Sequence, residues 1–219
     1  MNEEKSNMNL IVEGTGDLKN TGRGKVNITI NDKILKADEG STILQTAKKA
    51  GIYIPTLCYL DELKPYGACR LCIVEIRKNG RSKIVASCAY PVEEDLMVYT
   101  ESPAVEKIRK NLVELYLAVF PYNQEIKKLA QKYNLHKTRF KSEYNYCILC
   151  GLCVRHCAEV KGNNAIGFVG RGIERKVSFI PDSAYFKYCE NCMECMDICP
   201  TGVFPSNFGI ERIPQISDE

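Results

Sequence analysis

The sequence predicts an α+β fold in which a helical connector joins two cysteine-bearing domains. The 12 cysteines of the 219-residue chain fall into three groups of four, and a long cysteine-free stretch separates the first group from the second. Alternating apolar residues precede the first group, which indicates strands, and apolar residues at helical spacing fill the gap. The second and third groups share one spacing, so they form an internal repeat.

Length and composition restrict the class of protein. A chain of 219 residues accommodates one large domain or two small ones, and 45% hydrophobic with 26% charged residues is typical of a globular protein. No apolar run approaches the roughly 18 residues of a membrane span. The acidic N-terminus carries no secretory signal. We therefore expect a cytoplasmic protein with no direct membrane span, whose reduced cysteines bind metal rather than form disulfides.

The cysteine groups and the flanking composition divide the chain into five segments. We expect a flexible leader, a first cysteine domain, a helical connector, a second cysteine domain and a C-terminal tail, at residues 1–24, 25–100, 101–139, 140–205 and 206–219 respectively.

The first cysteine domain is predicted to contain a hairpin, a helix and further strands. Alternating apolar residues over 26–30 predict a strand, and Ile34-Leu35 begins its return strand. Thr42 and Gln45 fit a capping box at the start of a short helix, which Gly51 can end. Later strands are predicted at 72–76, 84–86 and 96–99, with a tight turn at Asn79-Gly80. This order of elements is expected of a β-grasp ferredoxin.

Two helices are predicted in the connector. The first begins with Ser102 as N-cap and Pro103 in its first turn, and Pro121 ends it. Its apolar residues at helical spacing are Val105, Ile108, Leu112, Leu115 and Val119. Asn123 can begin the second helix, which carries Ile126, Leu129, Ala130 and Tyr133 on one face. We interpret the pair as a structural bridge.

The two later cysteine groups are the most specific feature of the sequence. Both have the spacing C-x2-C-x2-C-x3-C, which allows a tight loop to present three thiolates to one [4Fe–4S] cluster. The fourth cysteine of each run then binds the other cluster, as in a bacterial-type 2×[4Fe–4S] ferredoxin domain. The candidate ligands are Cys147, Cys150, Cys153 and Cys199 for the first cluster, and Cys157, Cys189, Cys192 and Cys195 for the second. The alternative is a pair of zinc ribbons.

The first cysteine group, Cys58-x10-Cys69-x2-Cys72-x15-Cys88, is less specific. Plant-type ferredoxins begin with C-x4-C-x2-C, so the first gap is longer here. The position after a predicted helix, the small residues Gly67-Ala68 and the hairpin between Cys72 and Cys88 nevertheless favour a [2Fe–2S] cluster. Zinc is again the alternative.

Charge and the remaining motifs exclude several functions. The formal charge of +3 belongs to the apo-chain, and twelve thiolates with three oxidised cluster cores bring it to about −3. It therefore indicates no nucleic-acid partner. The chain has no G-x-G-x-x-G, no P-loop and no nucleophile–base pair, so we expect no flavin, no NAD and no catalytic residue on it. His136 and His156 are expected to form hydrogen bonds or lie at the surface. Arg155, Arg171, Arg175 and Lys176 either form a solvated face or dock an acidic partner.

Four stretches of the sequence resemble a known family. They are Ile54-Pro-Thr-Leu-Cys58, Gly67-Ala-Cys-Arg-Leu-Cys72, Cys147-Ile-Leu-Cys-Gly-Leu-Cys-Val-Arg155 and Ala165-Ile-Gly-Phe-Val-Gly-Arg-Gly172. They resemble the N-terminal part of the complex I large iron–sulfur subunit, a segment that also occurs in diaphorase subunits of bidirectional and electron-bifurcating hydrogenases. The resemblance covers about residues 25–205.

The sequence departs from this family at one module. The family usually carries a further [4Fe–4S] cluster, held by one histidine and three cysteines, in a module that opens with His-Pro. Here Phe120-Pro121 stands at that place, and no cysteine follows until Cys147. We therefore expect this cluster to be absent and the electron path to differ.

The resemblance implies a non-catalytic electron-transfer subunit with one [2Fe–2S] and two [4Fe–4S] clusters in an NAD(H)-linked oxidoreductase complex. Its implied partners are a flavin/NAD(H)-binding subunit, a small thioredoxin-like [2Fe–2S] subunit and a catalytic subunit, with a hydrogenase as first choice. Ferredoxin joins them if the complex bifurcates electrons. The alternatives are a free polyferredoxin, the iron–sulfur subunit of a succinate dehydrogenase or fumarate reductase, and a structural zinc scaffold.

Overall fold

The computed structural model describes residues 24–142, 147–179 and 192–202. The expected leader, except Gly24, and the expected C-terminal tail lie outside these residues, as does the candidate ligand Cys189. Within the described residues, no helix is long and apolar enough to cross a membrane.

The N-terminal part of the chain forms a mixed five-stranded sheet with one helix. The strands are β1 (Lys25–Ile30), β2 (Lys33–Asp38), β3 (Ile73–Lys78), β4 (Arg81–Ala86) and β5 (Leu96–Tyr99), in the spatial order β2-β1-β5-β3-β4. Strand β1 runs parallel to β5, with Ile28 opposite Leu96, and all other pairs are antiparallel. The helix α1 (Ile43–Lys49) shares an apolar core with the sheet. The predicted mixed strand-and-helix unit is confirmed.

Local sequence signals explain how these elements begin and end. Thr42 and Gln45 form the predicted reciprocal capping box at the start of α1. The hairpin β3–β4 turns at Asn79 and Gly80, whose φ angles are +51° and +73°. Such positive angles match the twist of the paired strands, which is why Asn-Gly is favoured at two-residue turns.

Two helices follow the sheet, as predicted. Helix α2 spans Pro103–Val119 and α3 spans Gln124–Lys132, and the side chains of Ser102 and Asn123 cap their first turns. Ile126, Leu129, Ala130 and Tyr133 are buried on α3, which confirms its predicted apolar face.

The buried face of α2 differs from the predicted one. Ile108 and Leu115 are 39% and 44% exposed, whereas Arg109 and Val113 are almost completely buried. The helix is therefore rotated relative to the stripe that the apolar residues indicate. Arg109 faces inward because its guanidinium donates hydrogen bonds to backbone carbonyls of the sheet domain. The prediction differs because hydrophobic periodicity counts only apolar residues as buried, not an arginine.

The C-terminal part is built from short elements. They are α4 (Leu152–Arg155), a π-helical turn (His156–Val160), β6 (Ile166–Val169), a 3-10 turn (Gly172–Glu174), β7 (Lys176–Phe179) and α5 (Glu194–Asp197). Strands β6 and β7 form an antiparallel hairpin. This part of the chain is held to the sheet domain by a second apolar core, in which Leu71, Phe120, Ile126 and Leu152 are buried together.

We expect Phe120→Ala to lower the free energy of unfolding by about 3–5 kcal/mol, because the ring is only 3% exposed and its loss leaves a cavity in the second core. Urea denaturation of the wild type and the variant under the same anaerobic conditions measures this change.

Phe140→Ala is the matched control, because the same atoms are removed from a ring that is 38% exposed. Its expected effect is less than about 1 kcal/mol. Equal effects of the two substitutions would contradict the assignment of Phe120 to the core.

Candidate metal-cluster sites

The first cysteine group is buried beside the sheet. Cys58 follows α1, Cys69 and Cys72 lie in the loop before β3, and Cys88 follows β4. All four residues are at most 2% exposed. Two residues of this loop, Gly67 and Arg70, have left-handed backbone conformations, with φ angles of +70° and +58°. The structure thus collects the four cysteines that the sequence singles out.

The four thiols form two pairs. The Sγ atoms of Cys58 and Cys69 are 3.3 Å apart, and the backbone N–H of Cys69 also donates to the Cys58 sulfur. The Cys58 thiol donates to Cys69 and lowers the pKa of Cys69 to about 6, despite opposition from burial. The Cys88 thiol does the same for Cys72, whose pKa falls to about 7. Each pair therefore stabilises one thiolate, the form that binds metal.

Helix α2 contacts the loop that carries Cys69 and Cys72 through two side chains that the sequence did not single out. The Tyr116 hydroxyl donates to the carbonyl of Cys69 at 2.8 Å. The Arg109 guanidinium donates to the carbonyls of Leu71 and Ile73, at 3.1 and 2.7 Å. An arginine at an inward helical position between Val105 and Val113 is the one sequence signal that could have indicated this contact.

Four cysteines of the two later runs line a single cavity. Its volume is about 780 Å³, and Cys147, Cys150, Cys153 and Cys199 all contribute to its wall. The first three belong to one run and Cys199 to the other. The structure therefore brings together the four residues that the crossed arrangement predicts for one cubane.

Burial and mutual repulsion disfavour free thiolates in this cavity. Burial raises the pKa of Cys150 to about 12, and it raises the pKa values of Cys147 and Cys153 as well. The negative charge of the Cys199 thiolate acts in the same direction on all three. A positively charged cluster core would remove this repulsion, so the donor set fits such a group.

Two of the remaining cysteines, Cys157 and Cys195, pack in one small core with Cys153. Cys157 is buried and accepts a hydrogen bond from the Ala165 N–H at 3.3 Å, and Cys195 packs in the same small core. Cys192 is partly exposed. The fourth predicted ligand, Cys189, is not among the described residues, so this set is incomplete in the structure. Within residues 24–142, 147–179 and 192–202, no three His, Cys, Asp or Glu side chains converge on the position of one metal ion.

His156 is buried and forms a hydrogen bond with Glu194. Its ring is buried, and Nε2 lies 2.8 Å from the Glu194 carboxylate. This contact joins the neighbour of Cys157 to the neighbour of Cys195. The expected hydrogen-bonding role of this histidine is confirmed.

The long loop between Cys58 and Cys69 packs on the second domain. The Lys64 N–H donates to the Glu159 carboxylate at 3.0 Å, and the Arg155 guanidinium donates to the Lys64 carbonyl. The Tyr66 ring lies so close to Gly151 that a Cβ there would be 3.2 Å from it. The ten-residue gap thus has a structural role. Arg155 makes contacts within the protein, whereas Arg171, Arg175 and Lys176 are exposed, although the Arg175 guanidinium lies over the Phe168 ring.

The two cysteine domains share one apolar core. Cys58 and Cys69 of the first group and Cys150 of the second are buried in it together. The Cys69 thiolate contributes to the raised pKa of Cys150, so the two sites are close enough to interact electrostatically. Asn123, at the start of α3, donates to the carbonyl of Pro200, the neighbour of Cys199. The connector therefore contacts cysteine loops of both domains.

Comparison with known proteins gives two domain families and a group of relatives. Residues 23–103 match the 2Fe-2S iron-sulfur cluster binding domain, and residues 138–205 match the ferredoxin-like domain of NADH-quinone oxidoreductase subunit 3. The chain is 31% identical over 206 residues to the NADH-ubiquinone oxidoreductase 75 kDa subunit of Reclinomonas americana, covering 83% of this chain and 29% of that protein. It is 32% identical over 206 residues to NADPH-Fe(3+) oxidoreductase subunit alpha of Geobacter sulfurreducens, with coverages of 83% and 24%.

One solved structure is similar to this chain, and the match covers most of both chains. It is a chain of an NAD+-reducing [NiFe]-hydrogenase in the H2-reduced state, with 31% identity and a TM-score of 0.62. The match covers 73% of this chain and 76% of that one. By contrast, this chain spans only 29% and 24% of the length of the two curated relatives named above.

We expect Glu159→Ala to release the loop between Cys58 and Cys69, because it removes the acceptor of the Lys64 N–H and the partner of Arg155. Loss of these charge-assisted hydrogen bonds should speed amide exchange in residues 59–68 about tenfold. Hydrogen exchange followed by mass spectrometry measures this rate.

Glu174→Ala is the control, because Glu174 lies exposed in the turn between β6 and β7. It should leave exchange in residues 59–68 unchanged. If both variants behave like the wild type, Glu159 does not hold the loop.

Proposed function

Because the chain belongs to the family of iron–sulfur subunits that includes the N-terminal part of the complex I large subunit and the diaphorase-type subunits of hydrogenases, we propose that it relays electrons between a flavin/NAD(H)-binding subunit and a catalytic subunit. Iron–sulfur clusters supply one-electron transfer. The observation that carries the proposal is the single apolar core in which Cys58, Cys69 and Cys150 are buried. Because residues of both cysteine domains are buried in this core, it brings the two sites close together.

We assign one [2Fe–2S] cluster to Cys58, Cys69, Cys72 and Cys88 on a β-grasp ferredoxin domain at residues 25–100. The arrangement of the thiols as two pairs supports this assignment, because a binuclear cluster takes two protein ligands on each iron. The complete burial of all four explains how the site would exclude solvent. Zinc remains a weaker alternative, since a single zinc ion requires four ligands around one point.

We assign two [4Fe–4S] clusters to the second domain at residues 140–205. The first takes Cys147, Cys150, Cys153 and Cys199, and the cavity that these four line supports the crossed arrangement. The second takes Cys157, Cys189, Cys192 and Cys195. The packing of Cys157 with Cys195 and the hydrogen bond between His156 and Glu194 support this set.

We propose that the chain lacks the histidine-ligated cluster of its longer relatives. In its place the connector, residues 101–139, packs as an apolar bridge. The Phe120 ring is buried and makes an edge contact with Tyr116, at 5.5 Å between ring centroids. Because Tyr116 in turn contacts the Cys69 loop, this packing is continuous with the first cysteine site.

The names of the relatives suggest the partners. NADH-ubiquinone oxidoreductase, NADPH-Fe(3+) oxidoreductase and NAD+-reducing hydrogenase share a nicotinamide-linked redox reaction. We therefore propose that flavin and NAD(H) bind a partner subunit and that a small thioredoxin-like [2Fe–2S] subunit belongs to the complex. A hydrogenase is the first choice for the catalytic subunit, and ferredoxin is a further partner if the complex bifurcates electrons.

The first test is the metal content of the chain after anaerobic purification. We expect about ten irons and no zinc per chain, with EPR signals of one binuclear and two cubane centres after reduction. The isolated chain should not oxidise NADH, and in native extract it should co-purify with a flavoprotein.

Other results would redirect the interpretation. About fourteen irons would contradict the absence of a fourth cluster. Zinc with little iron would leave a structural scaffold. A lone species near 24.7 kDa in native extract would favour a free polyferredoxin carrier.

The second test uses Cys199→Ser. We expect it to damage the cubane held by Cys147, Cys150 and Cys153, because Cys199 lines their cavity, and to reduce the iron content by up to about four atoms. The EPR signal of the other cubane should persist.

Cys195→Ser is the matched variant, since it removes a cysteine of the same run and should damage the other cubane instead. Loss of the same EPR signal in both variants would refute the crossed assignment.

A further inference from the structure

One arginine of the connector is buried against the first cysteine loop. Arg109 lies on α2, and only 2% of its surface is exposed. Its guanidinium donates hydrogen bonds to the carbonyls of Leu71, Ile73 and Thr100, at 3.1, 2.7 and 3.2 Å. A charge taken out of water is unfavourable unless an opposite charge compensates it.

Among the residues that the structure describes, no carboxylate provides this compensation. In the described part of the chain, none of the ion pairs includes Arg109. The glutamates that are buried in the described ranges, Glu75 and Glu114, pair with Arg77 and Arg139. Arg109 is thus a buried cation whose hydrogen-bond acceptors are all neutral carbonyls.

The negative charge near Arg109 is concentrated at the first cysteine site, whose loop carries Cys69 and Cys72. Leu71 and Ile73 lie on either side of Cys72, so the guanidinium is anchored to the backbone that carries this thiol. Four thiolates with a binuclear core carry a net charge of about −2 when oxidised and about −3 when reduced.

From this arrangement we infer that Arg109 is the buried counter-charge of the binuclear cluster and raises its reduction potential. The inference rests on the proposed [2Fe–2S] assignment. Reduction adds one negative charge, and a nearby cation stabilises the reduced state more than the oxidised state. Because the guanidinium is buried, salt screens it weakly.

Tyr116 provides a neutral comparison on the same helix. Its hydroxyl donates to the Cys69 carbonyl in the same loop, at 2.8 Å. Tyr116→Phe removes a hydrogen bond to the loop but no charge. Arg109→Gln removes the charge but keeps a donor, and Arg109→Lys keeps the charge but loses the planar fork. The three variants separate charge from hydrogen bonding.

The experiment is a redox titration of the full chain, followed by the EPR signal of the binuclear centre, with iron content as a check on cluster retention. Arg109→Gln should lower the reduced-to-oxidised ratio at a fixed potential at least about tenfold, which corresponds to 59 mV for one electron. Arg109→Lys should stay within about threefold of the wild type, and Tyr116→Phe should shift the ratio less than Arg109→Gln does. The cubane potentials should change less than that of the binuclear centre in all three variants.

Several results would overturn the inference. An unchanged binuclear potential in Arg109→Gln with full iron content excludes a role in tuning. Equal shifts in Arg109→Gln and Arg109→Lys assign the effect to hydrogen-bond geometry rather than charge. If Arg109→Gln does not retain the cluster, Arg109→Lys still tests the inference, since a tenfold shift of its binuclear potential contradicts it. A wild type without any binuclear signal would refute the proposed function instead.

Discussion

A buried thiolate is stable only where other groups compensate its charge, and the four cysteines of the first site are almost completely buried. The chain meets this requirement with groups from distant parts of the sequence. The N–H of Cys69 reaches the Cys58 sulfur, and in the second domain the N–H of Ala165 reaches the Cys157 sulfur. The loop that carries Cys69 and Cys72 also has backbone carbonyls that need hydrogen-bond donors, and helix α2 provides them. Tyr116 donates to the carbonyl of Cys69, and Arg109 donates to those of Leu71 and Ile73. A helix outside the sheet therefore completes the first site.

The two domains are not independent, because a loop of the first domain supports the cysteine loops of the second. The ten residues between Cys58 and Cys69 exceed the four of a plant-type ferredoxin, and they pack on the second domain through Lys64 and Tyr66. Each contact supports residues within two positions of a cysteine, since Gly151 follows Cys150 and Arg155 and Glu159 lie two residues from Cys157. The loop thus belongs to both sites, and a short loop of the plant type could not make these contacts.

Features determined by neighbouring residues could be predicted from the sequence, whereas features determined by distant ones could not. The capping box of Thr42 and Gln45 and the turn at Asn79-Gly80 depend on residues a few positions apart, so their sequence signals are complete. The cysteine spacing likewise indicates which thiols meet in one cavity. The rotation of α2 could not be predicted, because it depends on carbonyls 36 and 38 positions from Arg109 and because a charged residue lowers an apolar score. The docking of Lys64 on Glu159 spans 95 positions and has no local signal.

The proposed absence of the histidine-ligated cluster is compatible with the packing of the connector. Tyr116 on α2 holds the carbonyl of Cys69, and Asn123 at the start of α3 holds the carbonyl of Pro200, next to Cys199. Phe120 and Pro121 lie between these two contacts, at the place where the resemblance expects a histidine ligand. Phe120 is buried and packs on Tyr116, so an apolar contact supports this turn. The connector thereby fixes the separation of a loop from each domain, and under the proposed function this separation determines how readily an electron passes from one domain to the other.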